Sequence, residues 1–290
     1  MYFIEKYRPK SNELIYHYCN SDSFNNICQN KTIRLSDLFL MDDGLEIKWG
    51  YSIWIDVANQ LISTLGHDFI DKIDKIIHEF GLHSLIISSS FSMKGDILSQ
   101  WRAYAADGKG FCIGFKAKDL FQLPVYPVKI IYNNKEQIRK IKSAVKFIHE
   151  NTKEFGKVFF ELCFQLMVEL ASLKNPSFDE EKEIRIIHLL TFQQEKKSLK
   201  LIDKGGYALG CETSGQEIKY RFRDDCPIAY QDYDFTINKL INPIKQVILG
   251  PKNNSLPSGI SVYLTTLGIE NVQILNHPMF KKLSSIESLN

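Results

Sequence analysis

The sequence predicts an α+β fold in one domain for its 290 residues. Runs of β-branched and aromatic residues precede residue 134 and return after residue 176, whereas residues 135–175 show the three- and four-residue apolar spacing of helices. Helices that cluster, instead of alternating regularly with strands, are typical of α+β proteins. We therefore expect a core formed by about 12–134 and 176–278, with a helical insertion or subdomain at 135–175.

The elements of the first half follow from local patterns. Asp22 or Ser23 can cap a helix in which Phe24, Ile27 and Cys28 lie at helical spacing. The segment LFLMDDGLEIKWGYS breaks the pattern and predicts a loop. In chain order we predict a strand at 14–19, a helix at 21–31, a strand at 32–36, a loop at 38–52, one or two helices within 52–80, a strand at 84–92, a short helix at 96–105, a turn at 107–110 and a strand at 111–115.

The second half begins with VYPVKIIY, a predicted strand whose proline favours an edge position. The apolar spacing that follows predicts one long helix or two stacked helices. Strand patterns then return. We predict strands at 183–190, 217–222 and 244–250, a capped helix within 255–269 and a last strand at 272–275.

Composition narrows the class of protein. The net charge of +2 gives no strong electrostatic field for nucleic acid or an anionic membrane. The six cysteines include no C-x-x-C pair, which favours reduced, buried thiols over a disulfide framework or a zinc site. The N-terminus lacks the pattern of a signal peptide, and no run reaches the roughly 18 apolar residues of a membrane span. We expect a cytoplasmic protein with no membrane partner.

Polar residues interrupt two of the early strands. In LIYHYC, His17 shares a strand face with Ile15 and Cys19. The plain interpretation is a core histidine bonded to a backbone carbonyl, and the functional one is a ring that faces a cleft. In TIRLS, Arg34 is either a surface arginine or a ligand-binding residue.

The segment SFSMKGDILSQWRAYAADGKG carries a second set of polar and aromatic residues. Ser90 and Ser92 share a face near the end of their strand, and Trp101 and Tyr104 lie on one side of the following helix. The two rings could form an aromatic wall for a planar ligand. They could equally be ordinary core residues.

The segment FDEEKEIRII brings acids into an apolar strand. Glu181, Glu183 and Arg185 project to one face, so an acid that is partly buried there has a cationic partner two residues away. The alternative is a charge ladder that protects an edge strand from aggregation.

Together these segments resemble a known family. The order LIYHYC, NKTIRLSD, DDGLE, SSSFS, WRAYAADGKGFCIGF, FDEEKEIRII and VILGP is similar to the bacterial domain-of-unknown-function family 2971, over about residues 14–252. WRAYAADGKGFCIGF and EEKEIR are the most specific parts. The chain departs from the family pattern in having Cys19 where threonine is usual, and in MDDGLE, which keeps Asp43 and Glu46 but loses an asparagine and a proline.

A weaker resemblance suggests an activity. A histidine on the first strand, hydroxyls and aromatics on the next, and a glutamate on a late strand are also the layout of the ADP-ribosyltransferase-like superfamily. This resemblance implies a split β-sheet core, NAD as the substrate, no metal, and a role as a toxin or anti-phage defence effector. Its partners would be a protein or nucleic-acid acceptor, and an antitoxin or other defence-system protein.

The same resemblance implies roles for individual residues. Glu183 would stabilise the oxocarbenium-like ribose as the nicotinamide bond breaks, and His17 would bind a ribose hydroxyl. The expected cofactor-binding residues are Tyr18, Arg34, Ser90, Ser92, Trp101, Tyr104 and Arg185, of which the arginines would bind the pyrophosphate and the aromatics would flank the nicotinamide. Asp43, Glu46 and Glu181 are expected substrate or loop contacts. The prediction requires His17 and Glu183 to line one pocket.

Two other functions remain open from sequence. Asp43, Glu46, Glu181 and Glu183 could gather around Mg²⁺ in a nuclease, because oxygen ligands suit that ion. Alternatively, the protein could be a non-catalytic sensor or partner-binding module of a defence system that uses the same cleft.

Overall fold

A computed structural model describes residues 6–40, 45–208, 211–236 and 242–277 of the chain. It is a mixed α/β structure with one large mixed sheet. The strands are β1 Leu14–Cys19, β2 Thr32–Asp37, β3 Ser84–Ser92, β4 Phe111–Lys116, β5 Tyr126–Lys129, β6 Glu183–Glu195, β7 Ser198–Ile202, β8 Gly206–Ala208, β9 Cys211–Thr213, β10 Lys219–Arg223, β11 Cys226–Asp234, β12 Ile244–Leu249 and β13 Gln273–Leu275. The helices are α1 Ser21–Asn30, α2 Leu45–Leu65, α3 His67–His83, α4 Leu98–Tyr104, α5 Ala117–Leu120, α6 Asn134–Asn151, α7 Lys157–Leu170 and α8 Pro257–Thr266.

The large sheet has the order β10-β11-β2-β3-β1-β4-β12-β13, and β6 joins it through β3. Its ladders are antiparallel except for the β12–β13 pair. Among the described strands, β5 pairs with β6 alone, so the strand that contains Pro127 is an edge strand there, as predicted. β8 and β9 form a separate two-stranded sheet.

The sheet forks at β3. On one edge, β3 pairs with β6 from Ser84 to Ser92. On its other edge it pairs with β2 only near Ser88 and with β1 only at Ser92. β1 and β2 therefore diverge, and the stretch of β3 around Ser90 has no strand partner on that edge among the described residues. A gap of this kind leaves backbone groups that side chains or ligands must satisfy.

Two large hydrophobic clusters pack against the sheet, and a third, smaller one lies around Trp101. Ile184 and Ile186 of β6 join a cluster that includes residues of α1, α5 and α8. Ile187, on the opposite face of the same strand, joins a cluster built mainly from α2, α3, α6 and α7. The predicted helical segment at 135–175 thus forms two helices, which share this second cluster with α2 and α3. Its description as an insertion or subdomain stays a prediction.

The loop predicted at 38–52 is wrong for its second half, because α2 begins at Leu45. Residues 38–40 form a 3₁₀ turn, and residues 41–44 lie outside the described part of the chain. Gly50 interrupts the helical pattern of this segment, and the packing of α2 explains why a glycine is found there. A Cβ at this position would lie 2.6 Å from the carbonyl oxygen of Leu170, so the close approach of α2 and α7 requires glycine.

Strands β7, β8, β9 and β11 were not expected, because their sequences are short or rich in polar residues. The six cysteines are unpaired, and Cys19 and Cys112 are buried, as predicted, whereas Cys211 and Cys226 are exposed, which corrects the expectation of buried thiols for these two. Within the part of the chain that the structure describes, every helix is too short or too polar to cross a membrane.

Candidate functional site

A cavity of about 260 Å³ opens at the fork between β1 and β2. Strands β1, β2, β3, β6 and β10, together with α4, contribute polar side chains to its wall. The sequence-predicted residues that line it are His17, Tyr18, Arg34, Ser90, Tyr104, Glu181, Glu183 and Arg185. His17 and Glu183 thus line one pocket, as the sequence prediction required.

His17 fills part of the gap in the sheet. Its Nδ1 lies 3.0 Å from the carbonyl oxygen of Ser90, in the stretch of β3 that lacks a strand partner on this edge. Because a carbonyl oxygen only accepts, Nδ1 carries the hydrogen and Nε2 is left as an acceptor. Burial lowers the pKa of His17, although the hydrogen bond to Ser90 acts in the opposite direction. The ring is therefore neutral near pH 7.

Glu183 is almost fully buried at the start of β6. Its Oε1 accepts hydrogen bonds from Arg185 Nε at 2.9 Å and Nη2 at 2.7 Å. Its Oε2 lies 3.4 Å from Lys174 Nζ, and its carboxylate also bonds to the Ser90 hydroxyl. Burial alone would raise the pKa of Glu183, but the charges of Arg185 and Lys174 and these hydrogen bonds hold it below its usual value. The carboxylate is therefore ionised at neutral pH.

Ser90 connects the two candidate catalytic residues. Its carbonyl oxygen accepts the hydrogen bond from His17, and its hydroxyl bonds to Glu183. Strand pairing places Ser90 directly opposite Arg185, so all four residues belong to one contiguous group.

Lys174 is a member of this site that the sequence did not suggest. It follows α7, is almost fully buried, and its Nζ lies 2.6 Å from Glu181 Oε2. Two cations, Lys174 and Arg185, therefore face two carboxylates, those of Glu181 and Glu183. In sequence, Lys174 is a lysine that follows the apolar end of a helix. A lysine at such a position can be buried or exposed, so the sequence did not identify it.

Ser92 and Trp101 are not among the residues that line the cavity, so the structure does not bring these two predicted cofactor-binding residues together with the others. The Ser92 hydroxyl donates to the Glu181 carbonyl at 2.6 Å and accepts from the Lys94 amide at 3.1 Å, so it fixes the loop before β6. Trp101 is 1% exposed, and its indole donates to Asp96 Oδ1 at 2.9 Å. The hydrogen bonds that the structure gives to these two side chains are all to other residues of the protein.

The aromatic residues of the cavity differ in accessibility. Tyr18 is buried, its hydroxyl donates to the Lys94 carbonyl and accepts from the Ile97 amide, and its ring meets Trp101 edge-on at 5.0 Å. Burial is the main cause of its raised pKa. Tyr104, at the end of α4, is 45% exposed and lines the cavity. It is the better placed of the two to stack on a ligand.

The two predicted arginines are held differently. The guanidinium of Arg185 donates to Glu183 and to the Ala171 carbonyl, the latter at 3.0 Å, and its contact with a pyrophosphate stays a prediction. Arg34 pairs with Asp232 and lies 3.9 Å from the centre of the Tyr230 ring, with part of its side chain exposed.

Sequence reasoning missed further residues of the cavity wall. Arg221 and Arg223 reach it from β10, and Ser36 and Ser88 lie on its inner side. The arginines alternate with Tyr220 and Phe222, so the sequence of this segment looked like that of an ordinary exposed strand.

The predicted acidic contacts are only partly described. Asp43 lies outside the described residues, as does the side chain of Glu46, whose backbone is in α2. No group of three His, Cys, Asp or Glu side chains that could hold a metal ion occurs among the residues the structure describes.

A larger groove of about 940 Å³ lies elsewhere, between residues 6–8, the segment after β5 and α6. It is lined by several cations, including Arg8, Lys129 and Arg139, but none of the predicted site residues reaches it. The fork cavity is the candidate site because it joins a buried carboxylate, a neutral imidazole and buried hydroxyls.

The family described as "Protein of unknown function (DUF2971)" matches residues 100–186 of this chain. The match includes WRAYAADGKGFCIGF and EEKEIR, so it confirms the resemblance, over a shorter span than residues 14–252. It contains Glu183 and Arg185 but not His17. No curated protein and no solved structure matches the chain.

Proposed function

We propose that the protein cleaves the nicotinamide–ribose bond of NAD, as an ADP-ribosyltransferase or an NAD glycohydrolase. The observation that carries the proposal is the link through Ser90, which holds a neutral histidine and an ionised, buried glutamate on the wall of one cavity.

The state of Glu183 suits this chemistry. Cleavage of the bond develops positive charge on the ribose, and a fixed carboxylate stabilises that charge without having to move. A lowered pKa makes Glu183 a stabilising anion and not a proton donor. The Lys174 contact at 3.4 Å is longer than a usual charge-assisted bond of about 2.7–2.9 Å. The Arg185 bonds fall on Oε1, so the oxygen that we expect to contact a ribose hydroxyl is Oε2.

The remaining residues fit a nucleotide substrate. His17 Nε2 can accept a hydrogen bond from a ribose hydroxyl, and Tyr104 can cover the nicotinamide ring. The cavity, at about 260 Å³, is slightly smaller than the roughly 300–1,000 Å³ of typical small-molecule pockets. We therefore expect it to enclose the nicotinamide half of NAD and to leave the adenosine half more exposed.

We also propose that the fold is ADP-ribosyltransferase-like and that the protein acts as a toxin or antiviral defence effector in the cytoplasm. The fork of the sheet, with a histidine on the first strand and a glutamate on a strand beyond it, supports the fold assignment. The biological role rests on the resemblance noted in sequence and extends to a protein or nucleic-acid acceptor.

The other two functions have less support. A divalent cation at Glu181 and Glu183 would have to displace Lys174, whose ammonium group already lies between both carboxylates. A sensor that only binds a nucleotide has no need for a buried ionised carboxylate, although the same cavity could serve it. Substitution of Glu183 separates the sensor from the enzyme.

The test is nicotinamide release from NAD by the wild type and by Glu183→Gln, with and without cell lysate. Glu150→Gln, an exposed substitution on α6, is the matched control. We expect Glu183→Gln to release nicotinamide about 10²–10³-fold more slowly, the loss typical of removing one transition-state charge contact. Release that requires lysate identifies a transferase, and release without it identifies a glycohydrolase.

No release, together with no shift of Tm by NAD, would refute the NAD proposal. Binding of NAD without release by the wild type would instead favour the sensor. Circular dichroism of the two variants must match that of the wild type for the comparison to hold.

A further inference from the structure

The end of the cavity formed by β2 and β10 is basic. Arg34, Arg221 and Arg223 line it on the side away from the start of β6. Arg34 and Lys219 share one carboxylate, that of Asp232, at 2.8 and 3.5 Å. Arg221 makes no ion pair among the described residues, so its positive charge is not balanced by a carboxylate in the part of the chain that the structure describes.

Two of these guanidinium groups are already oriented. Arg34 is fixed by two hydrogen bonds to Asp232 and by the ring of Tyr230. Arg223 donates to the carbonyl of Leu40, another residue of the cavity wall. Groups held in place before binding lose little freedom when a ligand arrives.

An independent observation lies on the inner wall. Ser88 is 1% exposed, lines the cavity, and its hydroxyl has no hydrogen-bond partner among the described residues. It stands directly opposite Ser36 of β2, whose side chain also lines the cavity. A buried hydroxyl without a partner is uncommon in folded proteins and indicates a group that a ligand would satisfy.

We infer that this end of the cavity binds the diphosphate of a nucleotide, and that Arg221 determines whether a phosphorylated substrate is accepted. Guanidinium groups match phosphate oxygens in pairs, and a serine hydroxyl donates to a third oxygen. The inference rests on the proposed function only for the identity of the group held by Glu183. The anion site itself does not depend on catalysis.

The spacing along β3 gives the substrate a direction. Ser90, which contacts Glu183, and Ser88 are two residues apart on the same face, or about 7 Å. That separation is comparable to the extent of one ribosyl 5′-phosphate unit. We therefore place the ribose beside Ser90 and Glu183 and the diphosphate beside Ser88 and Ser36, with the rest of the nucleotide leaving the cavity past Arg221.

The experiment measures binding of ADP, inorganic pyrophosphate and adenosine to the full chain by titration calorimetry. The variants are Arg221→Gln, Arg221→Lys and the control Arg139→Gln, an exposed arginine of the larger groove. We expect ADP and pyrophosphate to bind the wild type and the control equally. Binding should weaken at least about tenfold in Arg221→Gln and less in Arg221→Lys, and adenosine should be insensitive to all three changes.

Equal ADP affinity in the wild type and Arg221→Gln would overturn the inference. So would binding of a short polyaspartate peptide with no binding of pyrophosphate, because the wall would then recognise carboxylates. If ADP binding depends on Arg221 but no nicotinamide is released from NAD, the inference is supported and the proposed function is refuted. If Arg221→Gln releases nicotinamide with an unchanged KM for NAD, the proposed function is supported and the inference is refuted.

Discussion

Strand β6 carries two buried polar groups that look alike in composition and differ in how fully their hydrogen bonds are satisfied. Glu183 and Arg185 face the fork cavity at its start, and His188 lies five residues after Glu183, on the opposite face. His188 Nε2 lies 2.7 Å from Asp203 Oδ1, and its Nδ1 lies 3.1 Å from the Pro124 carbonyl. Each group therefore pairs a carboxylate with a nitrogen-containing side chain of β6, Arg185 in the first group and His188 in the second.

The difference between them is hydrogen-bond saturation. Asp203 also accepts from the amides of Gly205 and Gln216 and from the side chain of Gln231, which in turn accepts from Tyr233. Every carboxylate oxygen of this group is satisfied by the protein. At the fork, by contrast, the hydroxyl of Ser88 has no partner in the described chain. A neighbouring acid and histidine indicate a ligand-binding site only where some hydrogen-bond donors or acceptors are not already satisfied by the protein.

The largest expected effect is on the closed group. Asp203→Asn would place an amide nitrogen among hydrogen-bond donors and remove the charge beside His188. We expect it to lower the free energy of unfolding by about 3–5 kcal/mol, the usual cost of breaking a buried pair. Urea denaturation at pH 7 measures the change.

The control for this change is Asp71→Asn, an exposed substitution on α3 that should alter stability by less than about 0.5 kcal/mol. An effect of Asp203→Asn no larger than that of the control would show that the closed group is not structural. The contrast with the fork would then fail.

A second expected effect concerns His17 and pH. Burial lowers its pKa in the folded state, so below the ordinary value of 6.5 the unfolded chain binds the proton more readily. The stability that the neutral ring contributes is present above pH 6.5 and is lost as the pH falls below it. His17→Gln keeps a donor for the Ser90 carbonyl but cannot titrate. Its stability should therefore fall less steeply than that of the wild type between pH 6.5 and pH 5.

Urea denaturation at a series of pH values compares the two proteins. Carboxylates that titrate in the same range are common to both and cancel in the difference. Parallel stability curves would mean that His17 is hydrated in the folded protein and titrates normally, which would contradict its role as a neutral acceptor.

Local pattern was enough to locate the strands that build the fork. β3 occupies the predicted residues 84–92, and β6 begins at Glu183 as expected, because β-branched runs bounded by turn residues define strands without reference to the rest of the chain. His17 and Glu183 were found for a related reason. A titratable residue inside an apolar strand needs a hydrogen-bond partner, and such a residue can be recognised from the sequence alone.

The missing parts of the site depend on contacts between distant segments. β10 reaches the cavity because β11 pairs with β2, almost 200 residues earlier in the chain, as the contact of Arg34 with Asp232 illustrates. Lys174 is buried only because the loop after α7 returns to β6. Neither pairing leaves a periodic signal in sequence, so Arg221, Arg223 and Lys174 looked like ordinary surface residues.

The smallest expected effect separates two serines on the same face of β3. Ser90→Ala removes a hydroxyl that bonds to the carboxylate of Glu183, and we expect it to cost about 1.5–3 kcal/mol of unfolding free energy. Ser88→Ala removes a buried hydroxyl that has no partner among the described residues, so it should change stability by less than about 0.5 kcal/mol or stabilise the protein. Parallel urea denaturations of the two variants, without nucleotide, make the comparison. An equal loss for both would mean that the Ser88 hydroxyl already has a partner and that the fork is as saturated as the group around Asp203.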